Sequence, residues 1–282
     1  MNEIVSKYQF SEKQVKSVLE LLEENNTVPF IARYRKEATG GLDEVQIKQI
    51  SDEYQYVANL QKRKDEVIHN IEQQGLLTNE LKEAILKQTK LQRVEDLYRP
   101  FKQKKKTRAT EAKRKGLESL AQWISDGQQG ELSKKAEAYI NDEVATVDEA
   151  IQGALDIIAE HVSDNPKYRS RILKDIYRQG NIVTAKKKKA DDEKETFAMY
   201  YDYVEPIKNV ANHRVLAMNR GEKEKVLLVK VEFDTQQVAS AIEKNEVKSN
   251  NPHGDYIKLA IEDSLKRLIM PSIEREIRAD LT

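Results

Sequence analysis

LDEVQIKQISDEYQYVANLQKRKDEVIHNIEQQG, residues 42–75, has no proline, and no glycine before its last residue. Ile47, Ile50, Tyr54, Val57, Leu60, Val67, Ile68 and Ile71 recur along it at helical intervals. Apolar side chains at that spacing share one face of a helix, whereas a half-buried strand would place them at every second position. The stretch predicts a single helix, N-capped by Asp43 and closed by Gly75, about 45 to 50 Å long at 1.5 Å per residue. A rod of that length suits a scaffold that holds modules apart.

Working outward, SEKQVKSVLELLEEN (residues 11–25) has Ser11 and Gln14 at capping-box spacing, with Val15, Val18, Leu19 and Leu22 on one face. VPFIARYRKE (residues 28–37) follows Thr27, with Pro29 in a first turn, where no intrahelical donor is lost. Two short helices, a Gly40-Gly41 break and a third helix resemble a helix-turn-helix-like start, a pattern of weak specificity. Beyond Gly75, helices are expected after Thr78, around Trp123, over the stretch 146–165 with Thr146 and Glu149 as a capping box, and over the stretch from Pro166 to Gly180. Past Gly180, NIVTAKKKKADDEKE reads as a polar loop or weak strand, and Phe197, Tyr200, Tyr201 and Val204 return to helical spacing. Two β-rich runs, VLAM (residues 215–218) and VLLVKVEF (residues 226–233), are joined by a polar segment containing Gly221 and predict a hairpin. Residues 254–282 finish as helix, with Pro271 inside it.

The fold class expected is mainly all-α: an elongated multi-helix assembly with a helix-turn-helix-like amino-terminal region, one long helix and a small β-hairpin. Ten glycines and six prolines in 282 residues are too few to punctuate an all-β chain. Three regions are expected: 1–75, the helix-turn-helix-like part with the long helix; 76–180, helical with a basic segment; and 181–282, mixed, with the hairpin and terminal helices.

Lys and Arg total 48, as do Asp and Glu, so no net field draws the chain to a polyanion and any such contact must be local. The absence of cysteine removes disulfides, thiolate metal sites and thiol nucleophiles. No secretory leader pattern opens the chain, and no apolar run reaches the roughly 18 residues of a membrane span. The plain reading is a cytoplasmic, monomeric protein without a membrane partner. His69, His161, His213 and His253 lie in different segments, none with a second histidine at metal-ligand spacing, and no phosphate-binding or dinucleotide-binding glycine motif occurs. No catalytic residue, metal site or cofactor is expected.

The main electrostatic signal lies between residues 99 and 115, where Arg99, Lys102, Lys104, Lys105, Lys106, Arg108, Lys113, Arg114 and Lys115 face one acid, Glu111. Such a cluster suits phosphate contact with counterion release. It suits equally a basic face paired with acidic helices of the same neutral protein, and sequence leaves the two level. Lys186–Lys189 form a second basic run, which Asp191–Glu195 offsets within a Debye length of about 8 to 10 Å. A possible second contact lies at Arg33, Tyr34 and Arg35, where with Phe30 they combine stacking rings and cations. Their helical spacing serves packing as well.

Two long stretches carry a family resemblance. VPFIARYRKEATGGLDEVQIKQI (residues 28–50) resembles the hallmark near the start of Tex-type transcription accessory proteins, and VEDLYRPFKQKKKTRATEAKRKGLESLA (residues 94–121) is similar to a second stretch of that family. Residues 197–224 and 260–281 extend the likeness. The resemblance implies a non-catalytic amino-terminal scaffold, followed in the family by YqgF, helix-hairpin-helix and OB-type RNA-binding domains that this stretch stops short of. It implies nucleic acid, RNA or DNA, as partner, mainly through those further domains. The alternative is a protein-interaction scaffold docking on the transcription machinery. Gln103 stands where many relatives have proline, and Lys105 and Lys106 replace arginines, keeping charge but losing the planar fork.

Overall fold

In a computed structural model, residues 5, 8, 10–102, 106–188 and 190–282 are described. Their contacts divide the chain into two compact units, Met1–Tyr98 and Arg99–Thr282.

The first unit is helical. Helix α1 (Glu12–Glu23) starts at the expected capping box, with Ser11 and Gln14 each satisfying the other's backbone N–H. Helix α2 (Val28–Tyr34) buries only Ile31. Helix α3 (Glu44–Gln73) is the long rod, 30 residues with a second capping box between Asp43 and Gln46. Phe10, Val15, Val18, Ile31, Leu42, Ile47 and Ile50 form one core around its first turns. Farther along, Leu60, Val67 and Ile71 are buried, with α4 (Asn79–Leu86) and α5 (Leu91–Tyr98) supplying Ile85 and Val94. Between these two contacts Tyr54 stays exposed, so the buried apolar stripe is interrupted there. Lys64 is buried and still satisfied, because its Nζ donates to the carbonyl of Leu86 at 2.9 Å.

The second unit is built on α9 (Val147–Asp164), whose Ala150, Ala154, Leu155, Ile158 and Val162 are buried. Against it pack α6 (Arg108–Arg114), α7 (Glu118–Asp126), α8 (Leu132–Glu137), α10 (Pro166–Gln179) and α13 (Gly254–Asp263). Its cap differs slightly from expectation. Thr146 accepts from Glu149 N, but the Glu149 carboxylate reaches back to the N–H of Ala145 rather than of Thr146.

The β structure corrects the sequence reading. There is a three-stranded antiparallel sheet, ordered β2-β1-β3, made of β1 (Asn181–Lys186), β2 (Asp202–Pro206) and β3 (Leu227–Glu232). The weak run at Asn181 is the central strand, pairing Val183 with Val204 on one side and Lys230 on the other. The expected hairpin between residues 215–218 and 226–233 does not form, because Val215–Met218 lie in helix α11 (Asn212–Lys223). Residues 197–204, expected to be helical, give a 3₁₀ turn and then β2. The acidic block makes local bonds: Asp192 accepts from the N–H groups of Thr196 and Phe197 and from the Tyr201 hydroxyl.

Helix α12 (Gln236–Glu246) and α13 follow. Helix α13 runs through a π-helical stretch, Ser264–Ile269, into α14 (Met270–Asp280). Pro271 lacks an N–H, so the regular ladder cannot continue through it. The chain widens one turn earlier, with Met270 N–H donating to the Leu265 carbonyl. Among the described residues no helix is long and apolar enough to cross a membrane.

Candidate nucleic-acid interface

The basic segment opens the second unit. Arg99–Phe101 form a 3₁₀ turn, and Arg99 donates to the Ser272 hydroxyl at 3.5 Å. Lys104 and Lys105 lie outside the described residues. Thr107 then caps α6 in a box with Thr110, a pairing of two threonines that the usual Glu or Gln signature does not flag. Ala109 and Ala112 are the buried face of α6, and their size lets it lie close to α9. Gly153 of α9 is part of that fit: a Cβ there would stand 2.4 Å from Leu117 Cδ1 and 3.3 Å from Ala112 Cβ.

With its small residues inward, α6 turns its charges outward in two directions. On one side Arg114 is held by Glu111 at 2.6 Å and Glu143 at 2.8 Å, and Lys113 lies 3.5 Å from Glu118. The Arg114 guanidinium, reinforced by Lys106 and Lys115, holds the Glu111 carboxyl below the usual carboxylate range. On the other side Lys106, Arg108 and Lys115 border a cleft of about 760 Å³. Among the described residues none of these three has an ion-pair partner within 4 Å. Glu143, Glu149 and Asp156 form the facing wall. Burial raises the Asp156 carboxyl above its ordinary range, against the opposing pull of Arg267, 3.2 Å away, and of Arg108.

The described cations of the segment therefore have different surroundings. Arg114 and Lys113 are tied into ion pairs, as the intramolecular alternative requires, while Lys106 and Arg108 are exposed. Lys102 is exposed too, and Lys115 half-buried. Sequence reasoning missed the acidic wall, whose members come from a loop and a helix roughly 30 to 45 residues downstream. No local signal in residues 99–115 announces them.

The second candidate group sits on α2. Phe30 and Tyr34 are 37% and 65% exposed, so Tyr34 stands largely in solvent while Phe30 is partly covered. Arg33 and Arg35 are exposed beside them. Of the histidines, His69, His161 and His213 are exposed. His253 is buried, stacked on Trp123 at 4.4 Å and bonded through Nε2 to the Gln128 carbonyl at 2.9 Å. Among the described residues no three His, Asp or Glu side chains converge as metal ligands.

Comparison with known proteins places this architecture. Residues 1–72 match the model of the Tex-like protein N-terminal domain, and residues 128–282 match the Tex central region-like model, which alone covers more than half of the chain. The chain belongs to the Tex family. The basic segment falls between the two matched stretches of this Tex-family chain. The chain is 51% identical over 285 residues to the uncharacterized protein YdcI of Bacillus subtilis, covering 99% of the chain and 40% of that relative. With the transcriptional accessory protein Tex of Neisseria gonorrhoeae it shares 35% identity over 220 residues, 78% of the chain and 29% of the relative. With the human S1 RNA-binding domain-containing protein 1 the identity is 28% over 283 residues, 94% of the chain and 28% of the relative. The Tex-family chain thus spans well under half the length of these relatives.

Proposed function

We propose that this chain is a non-catalytic, cytoplasmic scaffold portion of a transcription accessory protein, and that it touches the phosphate backbone of nucleic acid through the exposed shoulder at Lys106 and Arg108. The observation that carries this reading is the division of the basic segment. Lys106 and Arg108 are exposed and have no ion-pair partner among the described residues, whereas Lys113 and Arg114 are held by Glu118, Glu111 and Glu143. A cation already matched to a carboxylate gains little from a phosphate, while an unmatched one displaces condensed counterions. The acidic wall across the cleft keeps the contact on the outer rim and makes it weak.

Fluorescence anisotropy of the chain with single- and double-stranded oligonucleotides in rising salt tests the proposal. The double variant Lys106→Ala/Arg108→Ala is expected to reduce the slope of log K against log salt by about 1.4 to 1.8. Absence of binding at low salt removes direct contact, and metal-dependent cleavage by the pure protein removes the non-catalytic reading.

One observation favours a second reading, a surface for proteins of the transcription machinery. The outer face of the sheet exposes Val204 and Leu228, 58% and 41% accessible, on the strands flanking β1. Copurification with purified RNA polymerase that survives Lys106→Ala/Arg108→Ala would support it.

A further inference from the structure

Helix α2 displays two aromatic rings on a surface where burial would normally be expected. Phe30 and Tyr34 are one helical turn apart, with ring centroids 5.1 Å apart and planes inclined by 44°. The Arg35 guanidinium lies over the Phe30 ring at 5.5 Å. Tyr34, at 65% exposure, leaves most of its ring open to solvent. A ring as exposed as that of Tyr34 gains little for the fold, since most of its apolar area remains in water.

The platform is nevertheless firmly placed. Ile31, between the two rings in sequence, is fully buried in the core of the first unit. The chain after the helix is fixed by the buried Thr39, whose hydroxyl donates to the carbonyls of Arg35 and Lys36, and by Gly41 N–H bonding back to Lys36 O at 2.9 Å. Gly40 and Gly41 have φ of +65° and +87°, the left-handed region that glycine enters without penalty, and this lets the chain reverse after the helix. A rigid support lowers the entropy lost when a ligand stacks.

Charge decides which ligand fits. Between Asn25 and Gly41 the cations Arg33, Arg35 and Lys36 stand against one acid, Glu37. Among the described residues none of the three cations is in an ion pair, and all are exposed. Solvent-accessible aromatic rings flanked by cations without carboxylate partners are what unpaired bases on a phosphate backbone need: rings for the bases, guanidinium and ammonium groups for the phosphates. A duplex hides its base faces and would use only the cations.

We infer that Phe30 and Tyr34, flanked by Arg33, Arg35 and Lys36, form a stacking platform for unpaired bases of a single-stranded nucleic acid. The inference shares the nucleic-acid class of partner with the proposed function but uses a different surface and a different force. It therefore stands or falls separately from the Lys106–Arg108 contact.

The test uses the whole chain and a fluorescein-labelled decauridylate, with a ten-base-pair duplex as control. Tyr34→Ala and Phe30→Ala are each expected to weaken binding of the single strand about tenfold without altering the salt slope, and to leave duplex binding unchanged. Tyr34→Phe keeps the ring and retains affinity. Arg33→Ala/Arg35→Ala instead lowers the salt slope on both probes. Circular dichroism confirms that each variant is folded, as expected for surface positions. With 5-bromouridine in the strand, photocrosslinks map to Phe30 or Tyr34. Wild-type affinity in both aromatic variants overturns the platform, whatever Lys106→Ala/Arg108→Ala does. So does loss of binding to purified RNA polymerase on Tyr34→Ala with no change in oligonucleotide affinity, which would make the patch a protein contact.

Discussion

Asp156 and Arg169 show how the second unit handles buried charge. Asp156 is 7% exposed, and its burial favours the protonated form. A carboxyl whose folded pKa lies above its unfolded value binds a proton more tightly when folded. Stability therefore falls as pH rises from the unfolded carboxylate range through that raised pKa, and the loss is complete above it. Replacing Asp156 with Asn is expected to remove this component, so urea midpoints measured from pH 4 to 7 should decline less in the variant than in the wild type. Arg169 presents the opposite case. It is 2% exposed and reaches Glu276 at 2.5 Å and the Ser272 hydroxyl at 3.2 Å, fixing α10 against α14. Arg169→Ala removes a buried guanidinium from Glu276 and should cost about 3 to 5 kcal/mol in chemical denaturation. A loss below about 1 kcal/mol would show that water reaches the pair.

At the scale of elements, Gly221 explains why the predicted hairpin is absent. In the sequence it looks like the turn residue of a β-hairpin. In the fold it lies inside α11, where a Cβ would come within 2.6 Å of Leu227 Cδ1 and 3.0 Å of Phe197 Cδ1. The glycine lets the helix press onto β3, and the preceding Val215 and Met218, three residues apart, face the core as helical neighbours. Gly221→Ala gains up to about 1 kcal/mol of helix propensity but overpacks two buried side chains at a cost of about 1 to 3 kcal/mol. The expected outcome is a net loss, read as a lower urea midpoint with unchanged m-value; a gain would mean that Leu227 can move aside. The long rod was legible because its period recurs along 30 residues, about eight turns. The sheet was not, because central β1 buries only Ile182 and Thr184 and then runs into lysines, so its pattern is too short to outweigh its charge. The candidate interface divides in the same way. The cations could be read from the sequence, and so could Glu111 and Glu118 beside Arg114 and Lys113, but Glu143, the second partner of Arg114, arrives through tertiary contact.

For the whole molecule, the balance of 48 basic and 48 acidic residues sets the background against which local sites act. With no net field, encounter with a polyanion gains little from steering, and affinity must come from the few cations left unmatched. The two units also have separate hydrophobic cores, one around Val18, Ile31 and Ile47, the other around α9 and the sheet. Because cooperativity follows shared buried surface, a lesion in one core should act mainly there. The single tryptophan makes this measurable: Trp123 is 8% exposed within the second core, stacked on His253, and its emission reports on that unit. Ile47→Ala, fully buried in the first core, should cost about 2 to 5 kcal/mol there. Thermal unfolding followed by far-ultraviolet circular dichroism should then show an early loss of helix, while the Trp123 emission transition keeps its wild-type midpoint. If both signals shift together, the two cores unfold as one cooperative body and the division into units has no energetic meaning. If only the first moves, the aromatic platform and the Lys106–Arg108 shoulder stand on independently stable supports, and variants of one can be read without correction for the other.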